Sequence, residues 1–457
     1  MPRSLLVSNL AALGFLMAFT GAACGSALPA HADRPPLQTA GTVPTGDAMS
    51  TLEALTARQA GHEVPFQSTA TPADLLAAAN ELLDRTGARD ADALASLATL
   101  DASTAAALGR VFTAFLAFDA ATRAYVDGAG IDAVFAARLQ LLDATLAFGQ
   151  AFQSATPPLV LDAAPAFTLD LSGVDSTYLA DAAVSIDVGG DDHYLNRAGG
   201  GGTYANTNCP VLEIQLPRQA GRLLPTGFLA DLEGNDDYVS GYDCGTNGGG
   251  LQGAGFLYDA AGNDHYQAGQ GGVNGGGYLG GIGFLHDESG DDVFEATPEH
   301  STYGYGANGA GSLGGYGMLV DNGGHDAYLA GQEGANGGGY ALGVGSLVDA
   351  WGNDRYQAGA LGTNGAAYLG NGLLWDGGGD DSYVVTQEWG NGNGHLETLL
   401  GSVGKEFSAC LYDADGHDWY DDLQGNQGWD LTVNPKGLNG SQFDDAVGSL
   451  GTCPNQA

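Results

Sequence analysis

The sequence predicts a mainly β protein: a parallel β-solenoid of about eight units of about 28 residues, preceded by a small α-helical bundle. Two observations support this fold class. An acidic eight-residue pattern recurs eight times, and the chain contains 76 glycines, which disfavour helices between the copies. Before the repeats, alanine and leucine recur at helical spacing. A unit this short buries a continuous core only by stacking on its neighbours.

The repeated pattern is Asp-x-x-Gly-(Asn/Asp/His)-Asp-x-(Tyr/Phe). Its intervals are 44, 28, 28, 34, 28, 27 and 37 residues, so the longer intervals are one unit plus an insertion. Each unit has two or three short strands separated by glycine turns. Propeller blades of roughly 40 to 50 residues fit this period less well. The copies begin at Asp187, Asp231, Asp259, Asp287, Asp321, Asp349, Asp376 and Asp413.

Stacked units bring equivalent positions together. An asparagine follows six of the eight leading aspartates, in most cases by about fifteen residues, and these side chains are predicted to form an amide ladder along one edge. They are Asn247, Asn274, Asn308, Asn336, Asn364 and Asn391. The repeated tyrosines are interpreted as packing residues rather than a row that stacks on sugars. They are Tyr194, Tyr238, Tyr266, Tyr328, Tyr356, Tyr383 and Tyr420.

The chain divides into an export signal (1–32), a linker (33–70), an α-helical domain (71–165), the repeats (166–425) and a C-terminal cap (426–457). Thr71-Pro72 is typical of a helix start. A second helix is predicted from near Asp101 to Gly128, and a third from Ile131 to about Phe152. Because the ends of solenoids need covering, the bundle is interpreted as a cap on the open end. A separate binding module is the alternative.

The first residues are typical of an export signal. Arg3 precedes an apolar run over residues 5–23, and residues 30–32 form a small-x-small cleavage site. Cys24 lies in a segment similar to a lipoprotein cleavage box, so soluble export and a lipid anchor at Cys24 are both open. No transmembrane span is predicted in the mature chain. The protein is therefore expected to be secreted, periplasmic or on the outer surface.

Charge and cysteine content limit the possible partners. Acidic residues outnumber basic ones 54 to 14, for a net charge of −40, which argues against nucleic acid as a partner. Four cysteines follow Cys24, and an oxidising compartment favours two disulfides. Proximity in sequence favours Cys209–Cys244 and Cys410–Cys453 among three possible connectivities.

The acidic turns are candidate calcium sites. Calcium binds six to eight oxygen ligands, and two stacked turns supply more carboxylates than one. The glycine at the fourth position is expected to allow a left-handed backbone. In the alternative interpretation, the aspartates only form hydrogen bonds within the turns. The predicted ligands are Asp187, Asp192, Asp231, Asp236, Asp259, Asp264, Asp287, Asp292, Asp321, Asp326, Asp349, Asp354, Asp376, Asp381, Asp413 and Asp418.

Two segments carry a resemblance to a known family. Residues 234–238 (GNDDY) and 262–266 (GNDHY) resemble the second half of the repeats-in-toxin nonapeptide. That family forms a parallel β-roll with calcium between its turns. The resemblance implies that Asp236, Asp264 and their equivalents bind calcium. The first family glycine is an aspartate here and the period is longer, so the resemblance covers about five residues per unit and does not extend to toxin function.

The sequence does not single out an active site. Few basic residues lie beyond residue 166, and the many carboxylates do not define a catalytic pair. His193, His265, His325 and His417 lie at the turns and are interpreted as solvated residues, with transition-metal binding as the alternative. The predicted function is a non-enzymatic calcium-binding protein with a structural or adhesive role at the cell surface or matrix. The alternative is a glycan-acting or glycan-binding protein that uses insertions at 208–226, 295–303 and 388–408.

Overall fold

In the computed structural model, four helices precede three largely parallel β-sheets, here called A, B and C. The chain is therefore mainly β, as predicted. The structure describes residues 70–152, 158–202, 225–240, 244–269, 271–296, 305–331, 333–359, 361–386, 391, 394–395, 409–413, 418–422, 442–443 and 447–449. The predicted export signal and nearly all of the predicted linker lie outside these residues.

The helical domain contains the three predicted helices and a short additional one. The bounds are α1 Pro72–Thr86, α2 Ala91–Leu97, α3 Ala102–Val126 and α4 Asp132–Ala151. The start of α1 is fixed as predicted, because the Thr71 backbone N–H and hydroxyl both donate to Asp74, at 2.6 and 2.7 Å. The sequence analysis missed α2, which Asp90 caps by accepting a hydrogen bond from Ala93 N–H at 2.8 Å.

Sheet A has eleven strands and sheet B has ten. The strands of sheet A are Val160–Ala163, Phe167–Asp170, Val184–Asp187, Thr226–Asp231, Ala254–Asp259, Ile282–Asp287, Tyr316–Asp321, Val344–Asp349, Asn371–Asp376, Ala409–Asp413 and Val447–Ser449. The strands of sheet B are Thr177–Tyr178, His193–Tyr194, Asp237–Val239, His265–Gln267, Val293–Ala296, Ala327–Ala330, Arg355–Ala358, Ser382–Val385, Asp418–Asp422 and Gln442–Phe443.

Sheet C has seven two-residue strands: Gly201–Gly202, Gly250–Leu251, Gly277–Tyr278, Gly311–Ser312, Gly339–Tyr340, Ala367–Tyr368 and Gly394–His395. A typical unit thus contributes one strand to each sheet, and each strand pairs in parallel with its equivalent in the next unit. Phe256 pairs with Phe228 on one side and with Phe284 on the other. This repeating register is the arrangement of a solenoid-like fold.

The interior between sheets A and B is a leucine row packed against an aromatic row. Leu257, Leu285 and their equivalents in sheet A are buried with the tyrosines of sheet B. Neighbouring rings in the aromatic row stack with centroids 4.6 to 5.0 Å apart. The predicted packing role of the tyrosines is confirmed for Tyr194, Tyr238, Tyr266, Tyr328, Tyr356 and Tyr383, which are at most 1% exposed.

The helical domain covers the outer face of sheet A, so the prediction that it caps the end of the stack is wrong. Phe135 of α4 packs edge-on against Phe284 of sheet A, with ring centroids 5.6 Å apart. The Arg138 guanidinium lies 4.8 Å from the centroid of the Phe256 ring. Sheet A alternates leucines that face inward with an outward row of Phe228, Phe256, Phe284, Met318, Ser346 and Leu373. The outward row would form a large exposed apolar patch without the helices.

One described helix, α3, is long and apolar enough by length and composition to cross a membrane, and 61% of its apolar segment is buried inside the protein. Its buried residues include Phe112, which packs against Phe167 of sheet A at a centroid distance of 5.5 Å, and Phe118. The tertiary contacts therefore account for much of its apolar surface. The absence of a transmembrane span in the mature chain stays a prediction.

Antiparallel strands close both ends of the parallel stack. At the N-terminal end, Val160–Ala163 pairs antiparallel with Phe167–Asp170. At the other end, Gln442–Phe443 and Val447–Ser449 pair antiparallel with the last parallel strands of sheets B and A. Both terminal strands fall within the segment predicted as a C-terminal cap. Such pairing satisfies backbone groups that an open sheet edge would leave available to another chain.

Candidate metal centre

The sixteen predicted aspartates form two columns that run along the direction of stacking. The leading column contains the last residue of each sheet A strand, from Asp187 to Asp413. The turn column contains the aspartates five positions later, from Asp192 to Asp418. All sixteen side chains lie in the interior, at most 2% exposed. The sequence analysis identified these residues, but it treated them as turn residues and did not predict their burial.

The leading column is held by tyrosine hydroxyls that the sequence analysis did not assign a role. Tyr266 donates to Asp287 of the next unit at 2.6 Å, and the Tyr356 hydroxyl lies 2.8 Å from Oδ2 of both Asp349 and Asp376. The signal was present in the sequence, because each aromatic residue follows its leading aspartate by seven positions. These hydroxyls fix one carboxylate oxygen of each acceptor in the interior.

The turn column is held by the backbone of adjacent units. The Asp236 N–H donates to Asp264 Oδ1, and the Asp264 N–H donates to Asp292 Oδ1, both at 2.6 Å. The same contact continues from Asp326 to Asp354 at 2.7 Å. Each turn carboxylate therefore uses Oδ1 to bind the neighbouring unit, as the metal-free interpretation of the turns requires.

The second oxygen of the turn carboxylates has no donor. Within the described residues, no N–H or O–H group donates to Oδ2 of seven turn aspartates. These are Asp192, Asp236, Asp264, Asp292, Asp326, Asp354 and Asp381. A buried carboxylate oxygen without a partner is costly, so each of these atoms requires a proton, a cation or an ordered water nearby.

The unpartnered oxygens lie close to other carboxylates. In most units three aspartates present oxygens within 4.8 Å of one another. They are the leading aspartate of the unit, the turn aspartate of the same unit and the turn aspartate of the preceding unit, as in Asp259, Asp264 and Asp236. Seven groups of three or more candidate ligand residues occur in the described residues, and at least five of them consist of aspartates alone. Neighbouring groups share members, since Asp264 and Asp292 also surround Asp287.

Burial and mutual repulsion raise the pKa values of these carboxyls. Desolvation, followed by the charge of Asp259, raises the pKa of Asp264 to about 10. Desolvation, followed by the charge of Asp321, raises the pKa of Asp326 to about 10 in the same way. The pKa of Asp287 is also well above its ordinary value because it is desolvated. Without a counter-ion, these groups would hold protons at neutral pH.

The donor set suits a hard divalent cation. Each group offers only carboxylate oxygens, the ligand type that calcium prefers, together with a buried oxygen that no donor satisfies. Three carboxylates binding in mono- or bidentate fashion supply about three to six of the six to eight oxygen ligands that calcium takes. Asp236, Asp259 and Asp264 would hold such an ion in one unit, and the equivalent residues would hold it in the others. The residues present therefore fit the predicted cation.

The glycine at the fourth pattern position has a steric role in the inner units. The backbone at Gly262 and Gly290 is not left-handed, so the predicted reason for glycine is wrong there. A Cβ atom at Gly290 would lie 1.8 Å from the Gly262 carbonyl oxygen and 2.6 Å from Asp292 Oδ1. Only glycine lets the turns approach closely enough to stack their carboxylates. Gly190 and Gly234 do have positive φ, at 134° and 155°.

The predicted asparagine ladder is confirmed. Asn274 Nδ2 donates to Asn308 Oδ1 at 3.0 Å, and Asn308 Nδ2 donates to Asn336 Oδ1 at 2.9 Å. Each amide also donates to the backbone carbonyl of its own unit's aromatic residue, such as Tyr266. The ladder runs without a break through Asn247, Asn274, Asn308, Asn336, Asn364 and Asn391.

Several predicted features lie outside the described residues. The insertion at 208–226 is described only at residues 225–226, the one at 295–303 only at residues 295–296, and the one at 388–408 only at residues 391, 394 and 395. Cys209 and Cys453 lie outside as well, so both proposed disulfides stay predictions. His417 is not described. His325 fits the interpretation as a turn residue, because its Nδ1 accepts a hydrogen bond from Asn353 N–H at 2.9 Å.

The stability of the metal-free protein, measured in chelator, is expected to fall as pH rises. The turn carboxyls have raised pKa values in the folded state, up to about 10 for Asp264 and Asp326, against about 4 unfolded. Their contribution is fully present below about pH 4 and is lost as pH rises through the folded values. Between pH 5 and pH 8.5 in chelator, the melting temperature should fall by at least about 5 °C.

The double variant Asp264→Asn/Asp326→Asn tests the assignment of this effect. An amide resembles the protonated carboxyl and does not titrate. The melting temperature of the double variant should therefore depend less on pH than that of wild type. Asp92→Asn, at an exposed position on α2, should keep the wild-type slope. Equal slopes in all three proteins would assign the pH dependence to general charge repulsion instead.

Comparison of the chain with protein-family models, with curated proteins and with solved structures finds no match in any of the three. The resemblance to the repeats-in-toxin family therefore rests on the turn residues alone and stays a prediction.

Proposed function

We propose that the protein is an exported calcium-binding repeat protein with a structural or adhesive role at the cell surface or matrix. In this proposal, the three sheets form a parallel β-solenoid of about eight units, and calcium is a structural ligand within it. The ions lie between the leading and turn columns of aspartate and join each unit to the next. The exported location rests on the N-terminal sequence features.

One observation carries the proposal: seven buried turn aspartates each have an Oδ2 atom that no donor satisfies. The metal-free interpretation accounts for Oδ1, which accepts a backbone N–H from the preceding unit. It also accounts for Oδ2 of the leading aspartates that tyrosine hydroxyls reach, but Asp231 Oδ1 and Asp349 Oδ1 have no donor within the described residues. The metal-free interpretation leaves Oδ2 of the turn aspartate in every inner unit without a partner, unless a proton is shared there. A cation would satisfy several of these atoms at once.

The overall charge supports the same interpretation. The chain carries a net charge of −40, and like charges at the spacing of stacked strands repel strongly. Seven divalent ions, one for each carboxylate group, would add 14 positive charges. These charges would be placed where the acidic side chains are buried and closest together. Cation binding would therefore offset the repulsion that otherwise opposes stacking.

The buried tyrosines favour a structural role over a sugar-binding surface. The repeated tyrosines, which could have formed a row for sugar stacking, are buried in the interior. A stack of like units with its tyrosines inside is suited to serve as a rigid spacer or adhesive scaffold.

Calcium stoichiometry tests the proposal directly. The full chain, stripped with chelator and dialysed against about 1 mM calcium, should bind about seven ions, one for each carboxylate group. The double variant Asp264→Asn/Asp292→Asn should lose about three, because these two residues belong to three groups. Asp92→Asn is the matched surface control and should bind as many ions as wild type. Fewer than one ion per wild-type chain would overturn the proposal.

A further inference from the structure

Two histidines and two carboxylates meet on the outer face of sheet B. His193 Nδ1 lies 3.0 Å from Asp237 Oδ2, and His265 Nδ1 lies 3.7 Å from Asp237 Oδ1. The other nitrogen of His265, Nε2, lies 3.5 Å from Glu295 Oε2. We call these four residues the histidine cluster. Two imidazoles thus point the same ring nitrogen at one carboxylate between them.

The parallel register creates this arrangement. Asp237 pairs with His193 on one side and with His265 on the other, so the three side chains occupy one row on three successive strands. Strands in a sheet are about 4.8 Å apart, which lets neighbouring side chains in such a row converge. Val293 follows His265 in the row, and its side chain has no atom that could bind a metal. The cluster is therefore confined to the first units.

The histidine cluster is open to solvent, in contrast to the buried aspartates. The exposed fractions of its side chains are 56% for His193, 45% for Asp237, 37% for His265 and 29% for Glu295. An ion can therefore reach it without unfolding the stack. Imidazole nitrogen suits zinc, copper and nickel, whereas calcium selects oxygen ligands. The cluster consequently differs in metal preference from the columns.

We propose that His193, Asp237 and His265 bind one transition-metal ion of the zinc class, with an open position left for water or another ligand. Two imidazoles and one carboxylate are a ligand set found in zinc sites. Glu295 acts as a positioning residue, because a metal-bound histidine characteristically directs its second ring nitrogen toward a carboxylate. That contact orients the His265 ring with Nδ1 toward the ion.

The competing explanation is an exposed ladder of histidine–carboxylate ion pairs without metal. It accounts for the contacts of Asp237 with both rings, and such exposed pairs contribute little to stability. It predicts no saturable zinc binding at the cluster. It also predicts no change in metal affinity when Glu295 is altered, so a metal titration separates the two explanations.

The test is a calorimetric titration of zinc into the full chain, with about 2 mM calcium present throughout to occupy the oxygen sites. Wild type should bind one equivalent that His193→Ala and His265→Ala each lose. Glu295→Gln should keep the equivalent but weaken its affinity about 10- to 100-fold. Gln267→Ala is the matched control, since Gln267 lies on the strand of His265, two positions later, and is exposed. It should bind zinc like wild type.

Zinc binding that survives both histidine substitutions would overturn the proposal, as would wild type that takes up no zinc. Circular dichroism of each variant in calcium shows whether it retains the fold, so loss of the equivalent by unfolding is recognised. The result is independent of the calcium proposal. A protein without calcium ions in its columns could still bind zinc at the surface, and the reverse also holds.

Discussion

Addition of about 1 mM calcium to the full chain, after its metal has been removed with chelator, is expected to raise its melting temperature by roughly 20 °C or more. A site with a dissociation constant of about 0.1 mM gains roughly 1.4 kcal/mol at this concentration by mass action. Seven such sites gain roughly 10 kcal/mol if they bind independently. At about 2 to 4 °C per kcal/mol, the shift is large and is measured by circular dichroism during heating.

Magnesium is the ion control for this melt. It requires near-ideal octahedral geometry and gives up its water reluctantly, so buried carboxylate groups should favour calcium over it. The variant Asp264→Asn/Asp292→Asn should lose part of the calcium-dependent gain while melting cooperatively. If chelator and calcium give the same melting temperature, the carboxyls carry protons instead. The two aspartate columns would then be hydrogen-bonded ladders without metal.

Asn308→Ala is expected to destabilise the folded state by about 3 to 5 kcal/mol. Its amide donates to Asn336 Oδ1 at 2.9 Å and to the Phe294 carbonyl at 3.1 Å, and it accepts from Asn274 Nδ2 at 3.0 Å. Truncation leaves those buried groups with fewer partners. The backbone at Asn308 has a φ of 48°, which alanine adopts less readily than asparagine. Urea unfolding in calcium measures the change.

Asn308→Gly separates the loss of the amide hydrogen bonds from the cost of the left-handed backbone. Glycine accepts the left-handed backbone but also removes the amide, so its cost should be smaller than that of alanine by about 1 kcal/mol. Asn80→Ala, at an exposed position of α1, should change stability by less than about 0.5 kcal/mol. If Asn308→Ala were as mild as Asn80→Ala, the ladder would contribute no measurable stability and would only reflect the register.

The sequence by itself determined the repeat and its register. Once the period of 28 residues was recognised, equivalent positions had to stack, because each unit is too small to bury a core alone. This reasoning correctly predicted the asparagine ladder and the aromatic packing row. It also located the start of α1, because Thr71 and Asp74 make a local cap that does not depend on distant parts of the chain.

Only the tertiary structure decided which surfaces are covered. Nothing local indicates that the helices lie on the outer face of sheet A, because that choice depends on a row of phenylalanines contributed by separate units. The same holds for the aspartates, whose pattern is typical of an exposed turn. Their burial follows from stacking, since the turn of one unit covers the carboxylates of the next.

The stacking of the units also explains the role of the fourth-position glycines and the presence of the histidine cluster. Gly290 is required because the Gly262 carbonyl of the preceding unit occupies the space a side chain would need. His193 and His265 are 72 positions apart in the sequence, yet both contact Asp237. Periodicity places equivalent residues on one line, but distances between side chains depend on how closely the backbones approach. That approach is a property of the packed stack.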